Sequence, residues 1–146
     1  MRFKPAAIFI LSILLLSGCA VTTPTSTSET KDAPTERVLA FQTQPPQEFA
    51  KLVVTRDQGF GGSACYFALW INGTLAARLG TSERAHFFVS PGDHILRTGR
   101  DPMGGGLCGF MVNNWTQRET VIRSNETKYF RFLINDGVTD IQRTDP

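Results

Sequence analysis

The chain has 146 residues, with 15 Lys and Arg against 13 Asp and Glu, a formal charge of +2. That near balance, without a long basic run, removes the electrostatic argument for nucleic acid or an anionic surface as a partner. At 41% hydrophobic residues the composition supports one modest core, and its two histidines are too few to hold a metal alone.

Arg2 and Lys4 precede a mostly apolar run of 11 residues, Ala6 to Leu16. Such a run is too short to span a bilayer, which takes about 20 residues. Its length and flanks are those of a secretory signal. Leu16-Ser17-Gly18-Cys19 follows and resembles the lipobox of bacterial lipoproteins. The resemblance implies cleavage after residue 18 and acylation of Cys19 on both its thiol and its new amine. One acyl chain anchors only marginally, at about 0.8 kcal/mol per buried methylene, so three hold firmly. Ala20, where an Asp would imply retention in the inner membrane, implies the outer membrane, with the domain facing the periplasm. Arg2 and Lys4 leave with segment 1–18, so the mature chain carries 13 basic and 13 acidic residues.

Residues 19–48 comprise the lipidated cysteine and a Thr/Ser/Pro-rich stretch that is poor in apolar residues except at Val38–Phe41. The composition predicts a disordered tether. A flexible chain of that length has an r.m.s. span of roughly 30 Å.

From residue 49 to 146 short apolar runs alternate with turn signals, the spacing of a sandwich or barrel. The expected fold is all-β, a small antiparallel β-sandwich of about seven to nine strands. Expected strands are Lys51–Arg56, Ala64–Ile71, Thr74–Leu79, Ala85–Val89, His94–Thr98, Gly109–Val112, Thr120–Ser124, Lys128–Asn135 and Val138–Gln142. Asn72-Gly73 predicts a type I′ hairpin, pairing Ile71 with Thr74 and Trp70 with Leu75. Continued without a break, that register puts Tyr66, Ala68, Trp70, Leu75, Ala77 and Leu79 on the core face. Because Ala64–Ile71 is apolar on both faces, its second face also needs a cover. Pro91-Gly92 predicts a type II turn. Such turns fit hairpin twist poorly, so either a hairpin or a crossover between sheets is open there.

Once Cys19 is acylated, Cys65 and Cys108 are left as an even pair in an oxidising compartment, where pairing is the default. The glycines of Gly59–Ser63 match neither a Walker loop nor a dinucleotide fingerprint, because no lysine and no helix follow. They are expected to let the two cysteine segments approach. His86 and His94 do not converge in a hairpin register, and no Ser-His-Asp set stands out, so neither metal, cofactor nor catalytic residues are expected. Trp115 and Phe110, with Asp101 in the adjoining loop, form the candidate binding surface.

From Lys51 to Thr144 the chain resembles small bacterial lipoprotein domains akin to PEGA-like and transthyretin-like β-sandwiches. The residues that carry the likeness are VVTRDQGFGGSACYFALWINGTLAARL, FFVSPGDHIL and NETKYFRFLIND. The resemblance implies the architecture and a structural His94, and it brings no catalytic residue. The expected function is a non-enzymatic, membrane-anchored binding or scaffolding role, with an envelope protein or glycan as partner. Two alternatives are an inhibitor of a hydrolase such as lysozyme, acting through Asp101–Cys108, and a carbohydrate-binding module stacking sugars on Trp115 or Tyr66.

Overall fold

The computed structural model describes residues 22–110, 114–135 and 137–146. Signal segment 1–18 and Cys19 lie outside the described residues. The strands are β1 (Lys31–Asp32), β2 (Ala50–Arg56), β3 (Phe67–Ile71), β4 (Thr74–Leu79), β5 (Glu83–Val89), β6 (Gly92–Arg100), β7 (Thr116–Ile122), β8 (Thr127–Asn135) and β9 (Val138–Thr144). They form two sheets, ordered β1-β5-β2-β8-β9 and β4-β3-β6-β7, packed as a sandwich. The first sheet is mixed rather than wholly antiparallel, because β2 runs parallel to β8 and β1 parallel to β5.

The Asn72-Gly73 turn forms as its sequence predicts. Both residues take positive φ, 49° and 79°. Ile71 pairs with Thr74 and Trp70 with Leu75. The register then slips by one residue between Leu69 and Trp70, so Leu69 faces Ala77 and Phe67 faces Leu79. That bulge corrects the expected core face. A one-residue slip exchanges the two sides of a strand. Ala77 and Leu79 therefore join Phe67, Leu69 and Ile71 in the core, while Tyr66 is left 44% exposed. The outer face does have a cover, and it is cationic. The Arg37 guanidinium lies 4.2 Å from the Tyr66 ring centre, and that of Arg97 lies 4.3 Å from Trp70.

Gly92 has φ 127°, and the chain crosses there from β5 in one sheet to β6 in the other. Leu52, Val54, Phe87, Phe132 and Ile141 from the five-stranded sheet meet Leu69, Ile71, Leu79 and Leu96 from the other. Phe67 and Phe132 join the layers edge to face at 5.8 Å.

Three expected strands differ, the first being Ala64–Ile71: β3 begins only at Phe67, because the glycine turn runs on through Ala64 and Cys65 is held in the bridge. Gly106–Phe110 is a 3-10 turn, not the start of a strand over Gly109–Val112, and 111–113 lie outside the described residues. Phe110 has no core to face and is 87% exposed, and Cys108 is drawn toward Cys65. β7 begins at Thr116 rather than Thr120, because its whole length pairs with β6.

The tether expectation is corrected from Thr22 onward. The Thr22 N–H donates to the Ile134 carbonyl at 3.0 Å, and the Ile134 N–H donates to Thr22 Oγ1 at 2.9 Å. β1 then lies along the edge of β5, and Val38 pairs with Ala77 on the edge strand β4. The segment closes one open side of the sandwich, capping a free edge of each sheet. Composition misjudged it because its docking needs only three apolar contacts on the core, Ala33, Val38 and Phe41, and otherwise uses backbone hydrogen bonds and an ion pair. Arg37, only 8% exposed, forks onto Glu83 at 2.6 and 2.7 Å.

Candidate binding face around Trp115

The two glycine-rich stretches meet at one end of the sandwich. Cys65 and Cys108 are joined in a disulfide with their Cα atoms 5.6 Å apart. The glycines answer a packing need. A Cβ at Gly62, where φ is 66°, would stand 2.7 Å from the Phe67 ring. Beneath the loop sits Arg56, whose guanidinium donates to the carbonyls of Cys65 at 2.6 Å, Gly62 at 2.8 Å and Leu79 at 2.8 Å. Burial lowers its pKa to about 10, which still leaves it charged at neutral pH. Arg56 thus pins the first loop from below. Alternation along β2 gave no sign of this, since a buried arginine reads as an exposed one.

The three residues of the expected binding surface separate. Trp115 is 52% exposed at the start of the four-stranded sheet's rim. Phe110 points into solvent. Asp101 is only 2% exposed and is not available to a partner. Its carboxylate accepts from Arg78 Nε at 2.9 Å and Nη2 at 2.6 Å, and from the Met103 N–H at 3.0 Å. Asp101 therefore anchors the second loop to β4.

What gathers at Trp115 is a set that spacing along the chain could not reveal. Trp70, Arg97, Arg100, Pro102 and Trp115 line a shallow pocket of about 180 Å³. Trp70 and Arg97 are register partners on β3 and β6, and both face outward. The Arg97 guanidinium carbon lies 4.3 Å from the Trp70 ring centre and 5.7 Å from that of Trp115. Arg97 Nε is buried and finds no acceptor among the described residues. Indole faces stack on flat apolar surfaces such as those of a sugar ring, and a guanidinium flanking them recognises a carboxylate or phosphate.

The outer face of the other sheet holds a larger groove of about 610 Å³, walled by segment 24–30 and by residues 144–146. Its charges are mostly satisfied within the chain: Arg84 bonds Asp32 at 2.7 Å, and Arg131 pairs with Asp57. His86 lies there, 3.3 Å from Asp32. His94 is on the opposite sheet, where Nε2 donates to the Ser90 carbonyl at 2.7 Å and Nδ1 accepts from Asn72 at 3.0 Å. That placement locks the Asn72 turn onto β6, because Asn72 Oδ1 also accepts from the Ile95 N–H.

No protein-family model matches the chain, and no curated protein is similar to it. The fold and the face define a disulfide-linked β-sandwich with an aromatic and cationic patch at one end.

Proposed function

We propose that this protein is a lipoprotein acylated at Cys19, held in the outer membrane, whose non-catalytic sandwich binds a component of the periplasmic envelope. The observation that carries the binding role is the half-exposed Trp115 beside Trp70, with Arg97 stacked against both and one of its N–H groups unmatched. A preformed pair of indoles around a cation costs little ordering on binding. The same set favours a glycan, preferably one bearing carboxylates, over a featureless protein surface.

Two measurements test this. Radiolabelled palmitate should enter the native chain and not the Cys19→Ser variant; label absent from both removes the anchor. Purified peptidoglycan sacculi should retain the protein, with Trp115→Ala or Arg97→Ala lowering retention at least about tenfold. Equal retention of the variants removes the assigned face. Crosslinking in intact cells should return an envelope component, and loss of that crosslink in Trp115→Ala ties it to the same patch.

A further inference from the structure

Cys19 is separated from Thr22 by Ala20 and Val21 alone. Three Cα steps reach at most about 11 Å. Thr22 is not loose at that point. It is hydrogen-bonded to Ile134, and Thr23 bridges to Gln58. It also packs on Gly59, where a Cβ would stand 3.0 Å from the Thr22 Cα. Any anchor on Cys19 would thus be tied within about 11 Å of Thr22, at the loop end of the sandwich, rather than through a leash of about 30 residues.

That end is apolar. Phe60, next to Gly59, is 95% exposed. Leu107 and Phe110, flanking Cys108, are 89% and 87% exposed, and Met103 is 63% exposed. The disulfide holds both loops together. The sequence carries no charged residue between Asp57 and Arg78, and none between Asp101 and Arg118. The four bounding residues are not charges presented at the tip: Asp57 pairs with Arg131, Asp101 with Arg78, and Arg118 with Asp140. The opposite end differs, with Asp93, Arg123 and Glu126 at its turns. Isolated exposed apolar residues are ordinary, but several gathered on charge-free loops mark an interaction site.

We propose that this tip inserts into the lipid surface that anchors Cys19, so that the sandwich stands end-on on the membrane with Phe60, Leu107 and Phe110 among the headgroups and upper acyl chains. The inference rests on the acylation of Cys19 proposed above. Tyr66, half-exposed just behind the tip, suits the headgroup layer, where amphipathic rings concentrate, and leaves Trp115 to the pocket. The Trp70–Arg97–Trp115 pocket would then open close to the membrane rather than some 30 Å from it.

The test uses full-length protein purified after palmitate labelling, so that acylation is established first. It is reconstituted into phosphatidylethanolamine–phosphatidylglycerol vesicles. Amide exchange is compared with that of the unacylated Cys19→Ser protein in buffer. Exchange over 59–66 and 104–110 should slow at least about tenfold on vesicles, with the turns at 72–73 and 91–92 unchanged. The acylated Phe60→Ser/Leu107→Ser/Phe110→Ser variant should stay on the vesicles yet lose that protection. Its three changes lie at exposed positions, and mass spectrometry verifies its disulfide. Equal exchange in a labelled, vesicle-bound native protein overturns the tip insertion and leaves the anchor intact. Absence of label sinks the anchor and this arrangement with it. Protection already present in the Cys19→Ser protein without vesicles, accompanied by a dimer in sedimentation, assigns the tip to self-association and overturns the lipid assignment.

Discussion

Arg37 and Arg56 are the single residues on which most depends, and each acts by satisfying buried oxygens. Glu83 is 5% exposed, and among the described residues its carboxylate bonds to Arg37 and to the Gly80 N–H, the latter at 2.7 Å. Removing one partner of a buried pair strands the other charge, at a cost of about 3–5 kcal/mol. Arg37→Ala is therefore expected to lower stability in urea by roughly that amount. The Arg37→Ala/Glu83→Ala double variant should lose less than the sum of the single changes, since the stranded charge is gone. Arg56→Met keeps the bulk but takes the guanidinium from three carbonyls, of which Gly62 still accepts from the Cys65 N–H at 3.0 Å. Buried unsatisfied groups cost about 1–3 kcal/mol each. Limited proteolysis should then cut within 59–66, where native protein resists.

Between elements, the disulfide and the bulge decide the most. The Cys65–Cys108 bridge closes 43 residues of sequence separation, and the chain-entropy estimate for a loop of that size is roughly 4 kcal/mol. Cys65→Ala/Cys108→Ala should keep its far-UV β signal, because the two sheets share one core whose buried residues include neither cysteine. Its urea midpoint should fall by an amount equivalent to a few kcal/mol, and its loops should exchange faster. An unchanged midpoint would show that Arg56 and Asp101 hold the loops without the bridge. The slip between Leu69 and Trp70 has the opposite character: it costs one unpaired position and aligns the apolar side of β4 with that of β3. Once Ala76 occupies the bulge, Arg78 reaches Asp101 and Leu79 reaches Phe67.

For the molecule as a whole, the docked N-terminal segment is the part most sensitive to acid. Burial pushes the Glu83 carboxyl up, but the Arg37 fork and the Gly80 N–H together hold it below its usual 4.5. Asp32 in β1 is likewise held down, chiefly by the hydrogen bond from Arg84. A carboxyl with a folded value below its unfolded one contributes stability fully present above the unfolded value. That contribution is lost as pH falls through the folded one. Acidification below 4.5 should therefore release residues 22–48 from the sandwich edges before the core melts. Proteolysis or amide exchange of that segment at pH 3 against pH 7 checks this, and equal protection at both would contradict it. If the tip sits in lipid, the same release would lengthen the leash and let the domain lift off.

The sequence by itself determined the all-β class, the Asn72-Gly73 turn and the partnership of Cys65 with Cys108. Each of these is a local or counting constraint: alternation with turns, a dipeptide that accepts positive φ, and two cysteines left to pair when Cys19 is read as the acylation site. Only the tertiary structure decided which side of β3 faces inward, because one inserted residue inverts every later side chain of the partner strand. It alone turned a Thr- and Pro-rich segment into a docked edge cover, since the acceptor for Arg37 stands 46 residues further along the chain. It also withdrew Asp101 from the surface and brought Trp70 and Arg97 to Trp115. Contacts between β3, β6 and the start of β7 join residues far apart in order, and no periodicity along the chain encodes which of them will meet.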